Sequence, residues 1–322
     1  MTLLVADIGG TNTRIGLAQC GHPVDSLERF QNDEFPSFDA VLARYSRDRD
    51  LSSLTGACIA VAGPVTAGSA KLTNRDWRFE EGAIATLLPG LSAAHVHLIN
   101  DLAALGYSLP DLDRAHLATI RDPADTGPQN NQALVVGVGT GFNICLVRPT
   151  RTGPIVIEAE LGHASLPARV VNVLEQAIGA EIVGFSTYEH LLSGRGLCAL
   201  YRVVSGGDEK TGPQILAGFD QDQPNDKVRT VELIAQVLGI VARELVFQYQ
   251  PYGGIHFAGG VARGLMASPA RAIFLDAFNA PGAFDDLRAN VAIKVITDDA
   301  AALIGAVRFA NDRAREGCAA AS

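Results

Sequence analysis

LLVADIGGTNTRIGL, running from Leu3 to Leu17, is the stretch from which the rest of the chain can be placed. Its apolar opening, Leu3-Leu4-Val5-Ala6, has the length and branching of a buried strand. Asp7, Ile8 and the pair Gly9-Gly10 follow, then Thr11, Asn12 and Thr13, then a second apolar run from Ile15 to Ala18. The pattern predicts a hairpin with a tip rich in glycine and hydroxyl groups. Without a Cβ, Gly9 and Gly10 leave the backbone free to take positive φ and let an anion approach it. Successive N–H groups in such a turn make a concave cradle for phosphate oxygens. Asp7, closing the first strand, is placed to hold a hydrated Mg2+ beside those phosphates. A Walker loop needs Lys-Ser/Thr after its glycines, and a dinucleotide fingerprint needs GxGxxG opening a helix; this turn is neither. Alone, it reads equally well as an ordinary Gly-Gly hairpin.

A second copy decides between those readings. ALVVGVGTGFNICL, from Ala133 to Leu146, repeats the plan: apolar strand, then Gly137-Val138-Gly139-Thr140-Gly141, then apolar strand. Two such hairpins in separate halves of one chain suit the two ends of a polyphosphate.

A chain of 322 residues with 48% apolar residues has material for two cores, and 33 glycines with 15 prolines indicate many tight turns. The net charge is −9, with no long basic run, so nucleic acid is not the expected partner. An anionic substrate must then be met locally, by backbone groups or a metal. The five cysteines, Cys20, Cys58, Cys145, Cys198 and Cys318, are odd in number and never spaced as CxxC. That pattern points to reduced thiols in a cytoplasmic protein, without a disulfide framework or zinc site. Cys58 and Cys145 fall in apolar strands and read as core residues. Met1 to Asp7 has no signal-peptide pattern, and the most apolar stretch, 133–147, is too short and too glycine-rich to span a bilayer. A soluble protein with no membrane partner is expected.

Further along, Ser37 caps an amphipathic helix through Tyr45, Ala57 to Ala62 is a buried strand, and Phe79 to Leu88 reads as helical. His95 to Ile99 is another strand, ending in Asn100-Asp101 where a helix begins at Leu102. Strand ends that feed helices are where open α/β sheets bind ligands. Asn and Asp are also preferred helix caps, so Asp101 has two readings: a plain cap, or an ionised carboxylate available as a general base. Both hold if one of the pair caps while the other meets substrate. Ile155 to Ala159 reads as a strand, followed by Glu160-Leu161-Gly162-His163, a polar loop able to hydrogen-bond a neutral polyhydroxylated ligand. The alternative is a surface Glu and a loop His. Val228 to Phe247 is a long amphipathic helix. Ile255 to Ala258 leads as a strand into Gly259-Gly260, where a flat apolar group can lie against backbone. Strand–glycine–helix turns are common, so this signal is weak alone. Val291 to Ile296 and the helix from Asp299 close the pattern. His95, His97 and His116 have no partners at metal-ligand spacing and read as structural.

Taken in order, Asp7-Ile-Gly-Gly-Thr-Asn12, Asn100-Asp101, Gly137-Val-Gly-Thr-Gly141, Glu160-x-x-His163, Glu189 and Ala258-Gly-Gly-Val261 resemble the bacterial glucokinases. These belong to the superfamily of sugar kinases, actin and heat-shock ATPases. The resemblance runs from Leu3 to about Gly305. It implies an α/β, ribonuclease-H-like fold of two lobes, with duplicated mixed sheets, flanking helices and a central cleft. The small domain would be 1–101 with 303–322, and the large domain 102–302. It implies ATP as donor, with Asp7, Gly9, Gly10, Thr11, Asn12, Gly139, Thr140 and Gly141 handling phosphates and Mg2+. Asp7 would reach the metal through water, and Gly259 and Gly260 would lie by the adenosine. Asn100, Asp101, Glu160, His163 and Glu189 would bind the sugar hydroxyls, with Asp101 as base. Thr73-Asn74 and Trp77 resemble the family's sugar-side loop, and the family suggests a homodimer.

Three departures stand out. Leu161 replaces the second residue of the usual Glu-Gly-Gly-His and is expected to narrow or shift sugar preference. Phe142-Asn143 stands where Leu-Gly is common. The cysteine-rich zinc motif of the related ROK sugar kinases is absent, so no structural metal is expected. The expected reaction is phosphorylation of glucose to glucose 6-phosphate. Its alternatives are the same chemistry on another hexose or an N-acetylhexosamine, and a non-catalytic sugar sensor.

Overall fold

A computed structural model describes residues 2–19, 24–73, 75–124 and 130–320, with side chains through 315. Cys20 and Asn74 lie outside the described residues, as does the side chain of Cys318. The chain divides into two compact units, 1–113 with 150–156 and 298–322, and 114–149 with 157–297.

The first unit is built on the quoted stretch. β1 (Thr2–Ile8), β2 (Asn12–Gln19) and β3 (Asp25–Gln31) form an antiparallel meander. After α1 (Phe38–Ser46), β4 (Leu54–Val61) returns parallel to β1. Three short strands, β5 (Val65–Thr66), β6 (Ser69–Lys71) and β7 (Arg78–Glu80), make a separate small sheet before α2 (Glu81–Leu87). β8 (Val96–Asn100) lies parallel to β4, giving the order β3-β2-β1-β4-β8, and α3 (Asp101–Ser108) follows it directly. Phe79, expected in a helix, belongs to β7; its ring is buried against Phe38.

The period of two along β1 explains why both faces of this sheet are covered. Leu4, Ala6 and Ile8 join one core with Phe38, Tyr45, Trp77 and Ile84. Leu3 and Val5 join another with Cys58, Ala104 and residues Leu303, Ala306 and Ala310 of the C-terminal helix (Ala301–Ala320). That second core keeps α3 with the first unit, which runs to Asp113, past the division before residue 102 expected above.

The second unit carries most of the sheet β12-β11-β10-β13-β14-β9. Its edge strand β9 (Leu117–Arg121) has little apolar periodicity and was not expected. β10 (Ala133–Val138) and β11 (Phe142–Thr150) form the second glycine hairpin, and β12 (Gly153–Glu158) extends it. Five helices follow: α4 (Ala168–Ile178), α5 (Tyr188–Leu191), α6 (Gly194–Val204), α7 (Gly212–Leu216) and the long α8 (Asp226–Tyr249). β13 (Gly254–Ala258) then enters parallel to β10. α9 (Gly260–Ala267), α10 (Arg271–Asn279) and α11 (Asp285–Ala289) precede β14 (Ile293–Ile296), and the C-terminal helix is α12. One core joins Leu134, Val136 and Val138 to Val237, Val241 and Leu245 of α8 and to Phe274 and Phe278 of α10. Among the described residues no helix is long and apolar enough to cross a membrane.

Candidate active site

In the first unit, parallel pairing aligns Ile8 with Val61 and Val61 with Asn100. The turn after β1, the turn after β4 and the start of α3 therefore share one edge of the sheet, where parallel strands end. The quoted hairpin closes through Gly9 N–H donating to the Asn12 carbonyl at 3.0 Å. Neither Gly9 nor Gly10 takes positive φ, so the freedom that glycine allows here is not used by the fold. A Cβ on Gly9 would meet only the Asn12 carbonyl oxygen, at 3.5 Å, an ordinary contact. The fold does not need glycine at Gly9; the missing Cβ leaves room above the turn.

Asn32, fully buried after β3, braces this turn. Its Nδ2 donates to the Gly9 carbonyl at 2.8 Å, its Oδ1 accepts from Thr13 Oγ1 at 2.8 Å, and its N–H donates to the Thr11 carbonyl at 2.9 Å. Arg29 Nε donates to Asn12 Oδ1 at 3.1 Å. Thr11 is exposed at the tip.

Asp7 lies opposite Arg14 in the β1–β2 ladder and is 9% exposed. Arg14 Nη1 donates to its Oδ2 at 3.0 Å, and Arg14 Nη2 lies 3.6 Å from Asp299 Oδ2. Burial pushes the Asp7 carboxyl above the usual carboxylate range while Arg14 pulls it back. Among the described residues no cluster of three His, Cys, Asp or Glu is placed to hold a metal directly. A single carboxylate fits a Mg2+ ion whose remaining ligands are water and phosphate oxygens. Arg14 was legible in principle, because a hairpin closing between residues 9 and 12 sets 7 opposite 14. Asn32 carried no such signal.

Asn100 is the cap: its Oδ1 accepts from Leu102 N–H at 2.9 Å and Ala103 N–H at 3.1 Å. Its Nδ2 donates to the Gly63 carbonyl at 3.1 Å, tying α3 to the turn after β4. Asp101 is the first helical residue, half-buried, with Oδ1 at 2.9 Å from Leu102 N–H. Its carboxylate is not required to cap α3, since Asn100 does so.

In the second unit, Gly137 pairs with Ala258, so the second glycine turn and Gly259-Gly260 lie at one sheet end. Gly139 N–H donates to the Gly141 carbonyl at 3.0 Å, and the Gly139 carbonyl accepts from Gly194 N–H at 2.7 Å. Gly259 has φ +97, and a Cβ there would fall 2.5 Å from the Val138 carbonyl oxygen. Here glycine is required by backbone conformation and by the close approach of the two turns. Gly260 opens α9, with nothing within 4 Å of the place a Cβ would take. Thr140 is exposed at the tip.

The departures at Phe142-Asn143 have structural parts to play. The Phe142 ring is buried and stacks on Tyr188 at 5.4 Å. Asn143 Nδ2 donates to Glu160 Oε2 at 3.2 Å, and its Oδ1 accepts from Leu161 N–H at 3.0 Å. Asn143 thus fastens the loop to β11. Residues Leu161–His163 form a 3-10 turn, with His163 exposed. Leu161 packs partly buried against the large core, so much of its bulk is directed away from solvent. The Glu158 carboxyl is raised by its own burial and by the charge of Glu160.

Glu189, in the first turn of α5, stands over the glycine turn. A Cβ on Gly141 would fall 2.5 Å from Glu189 Oε2. That oxygen accepts from Phe142 N–H at 3.3 Å, while Oε1 accepts from Arg195 Nη2 at 2.9 Å. The second unit therefore gathers Gly139, Gly141, Glu160, Glu189, Gly259 and Gly260, with His163 following in the loop. The first unit separately gathers Asp7 to Asn12 with Asn100 and Asp101. Sequence reasoning passed over Arg14, Asn32, Asn143 and Arg195 as orienting groups. Of the sugar-side loop, Thr73 Oγ1 donates to the Ala62 carbonyl at 3.0 Å and Trp77 is buried in the core.

A sequence model of the family described as Glucokinase matches residues 4–313. A glucokinase of Erwinia tasmaniensis is 27% identical over 313 residues, covering 94% of both proteins. Among solved structures, a glucokinase from an Antarctic psychrotroph superposes with a TM-score of 0.77 at 26% identity, over 97% of this chain and 99% of that one. A Balamuthia mandrillaris glucokinase in complex with glucose superposes with a TM-score of 0.77 at 21% identity, over 96% of this chain and 93% of that one. The actin-like ATPase fold expected for the chain is the fold of these enzymes.

Proposed function

The chain belongs to the glucokinase family, and from that premise we propose that it transfers the γ-phosphoryl group of ATP to the 6-hydroxyl of glucose. One observation supports this most: the second unit sets a nucleotide-type glycine turn and two sugar-type carboxylates on adjoining residues. Glu189 touches Phe142 directly after that turn, and Glu160 is held by Asn143, the next residue.

In this reading, Gly9 to Asn12 and Gly139 to Gly141 receive phosphate oxygens on backbone N–H groups, with Thr11 and Thr140 at the tips. Gly259 and Gly260 leave room for the adenosine against backbone. Asn100, Glu160, His163 and Glu189 bind sugar hydroxyls, Asn100 through the Nδ2 hydrogen that does not face Gly63. Asp101 accepts the proton of the attacking hydroxyl, since a sugar hydroxyl is a poor nucleophile near neutral pH. Asp7 Oδ1 would hold Mg2+ through water, and the ion would neutralise charge on the phosphates. N–H donors aimed at the developing charge supply much of the remaining acceleration. A homodimer in the cytoplasm completes the proposal.

The test is ADP release from Mg-ATP, with glucose, mannose, fructose, N-acetylglucosamine, N-acetylmannosamine and no sugar as separate arms. Turnover with glucose alone is the expected result. Turnover confined to another sugar would keep the chemistry and reject glucose. Calorimetric glucose binding without turnover would leave a sugar sensor.

A further inference from the structure

Glu189 is held more firmly than a contact to a neutral sugar requires. Its carboxylate meets a backbone N–H on one oxygen and a guanidinium on the other. The guanidinium comes from Arg195, whose side chain is 71% exposed, against 24% for Glu189. An ion pair this exposed adds little to folding stability.

The backbone that carries Arg195 is nevertheless fixed on two sides. Ser193, 1% exposed, caps α6 by accepting from Gly196 N–H at 3.0 Å. Its hydroxyl donates to the Glu189 carbonyl at 2.7 Å. Gly194 N–H donates to the Gly139 carbonyl at 2.7 Å. Arg195 follows immediately, so it projects from a segment pinned to both the Glu189 backbone and the glycine turn. A glutamate side chain has several rotamers to lose when it binds a ligand. A guanidinium carried on a pinned backbone and paired with the carboxylate removes part of that freedom in advance.

We propose that Arg195 is a positioning residue for Glu189, orienting its carboxylate for the sugar and registering it against the Gly139–Gly141 turn. The inference rests on the reading of Glu189 as a sugar ligand. Arg195 acts through Glu189 and touches neither reactant. Its loss therefore alters glucose recognition, leaving nucleotide affinity and the chemical step in place.

The experiment measures kcat and KM for glucose and for ATP in full-length Arg195→Ala, Arg195→Lys, Glu189→Gln and the Glu189→Gln/Arg195→Ala double variant. Arg195→Ala is expected to raise KM for glucose about fivefold, the upper end of what one exposed ion pair contributes. KM for ATP, kcat and the melting temperature should stay within about twofold or a degree or two. Arg195→Lys should recover part of the loss. In the Glu189→Gln background, the alanine change should add nothing. The proposal is overturned if Arg195→Ala leaves KM for glucose unchanged, shifts KM for ATP instead, or costs as much in the Glu189→Gln background as in the parent chain. A normal glucose KM in Glu189→Gln alone would sink the sugar-ligand reading itself, and this inference with it.

Discussion

Arg14 donates to the Asp7 carboxylate at 3.0 Å while its other terminal nitrogen lies 3.6 Å from Asp299. Arg14→Ala would strand a largely buried carboxylate, at about 2 kcal/mol by urea denaturation. Replacing both partners, as Asp7→Asn with Arg14→Leu, should recover most of that stability. A double variant that is folded yet inactive would assign Asp7 to the chemistry; one that keeps turnover would leave it structural.

Asn100 caps α3, and Asp101 begins it. Asn100→Ala should therefore lower stability by about 1 kcal/mol. Asp101→Asn keeps the shape and should leave both stability and glucose binding nearly intact. Its turnover should fall at least a hundredfold, the scale of general-base catalysis. Equal losses of calorimetric glucose affinity and kcat would contradict the role of base.

Gly259 and Gly260 separate a requirement of the fold from one of a ligand. Gly259→Ala meets the Val138 carbonyl and an unfavourable φ, so it should destabilise by more than about 1 kcal/mol. Gly260→Ala meets nothing, and its melting temperature should be unchanged. Its KM for ATP should rise at least severalfold if adenosine lies there. An unaltered KM would remove Gly260 from the nucleotide site.

Asn143 holds Glu160 and the Leu161 N–H together. Asn143→Ala is expected to raise KM for glucose about five- to tenfold, the scale of one or two hydrogen bonds. Leu161→Gly should change the ranking of sugars little, because Leu161 packs against the core. A switch of preferred sugar in that variant would show that Leu161 sets specificity.

His256 is buried on β13, and burial pushes its imidazole down to about 4 from 6.5. The folded chain keeps it neutral, so below about pH 6.5 the unfolded chain binds a proton that the folded chain does not. Stability from this group is fully present above the unfolded value and falls as pH drops from about 6.5 to about 4. The loss is on the order of 3 kcal/mol. His256→Leu should flatten that part of the stability–pH curve measured by denaturation; an unchanged slope would place the acid sensitivity elsewhere.

Much of this molecule can be read locally. The alternation along Leu3 to Ile8 specifies a strand with both faces buried. Ser37 marks the start of α1, and Asn100-Asp101 marks a strand end that feeds a helix. β9 was not legible, because it lacks apolar periodicity and pairs with β14, far along the chain; β5–β7 pair locally but are only two or three residues each, too short to show a period. Phe79 joined a strand because burial against Phe38 outweighs helix propensity in so short a segment.

The candidate site divides along the same line. Gly9-Gly10, Gly139-Thr140-Gly141, Asp101 and Glu160 stand out in the sequence, since turn chemistry and strand-to-helix junctions depend on adjacent residues, whereas Glu189 was indicated only by the family resemblance. What orients them was decided only in three dimensions. Asn32 braces the first turn from β3, Asn143 holds Glu160 from β11, and Arg195 holds Glu189 from α6. Asn32 and Asn143 are set there by strand pairing and Arg195 by the short break between α5 and α6, and a single side-chain hydrogen bond leaves no periodic trace in a sequence.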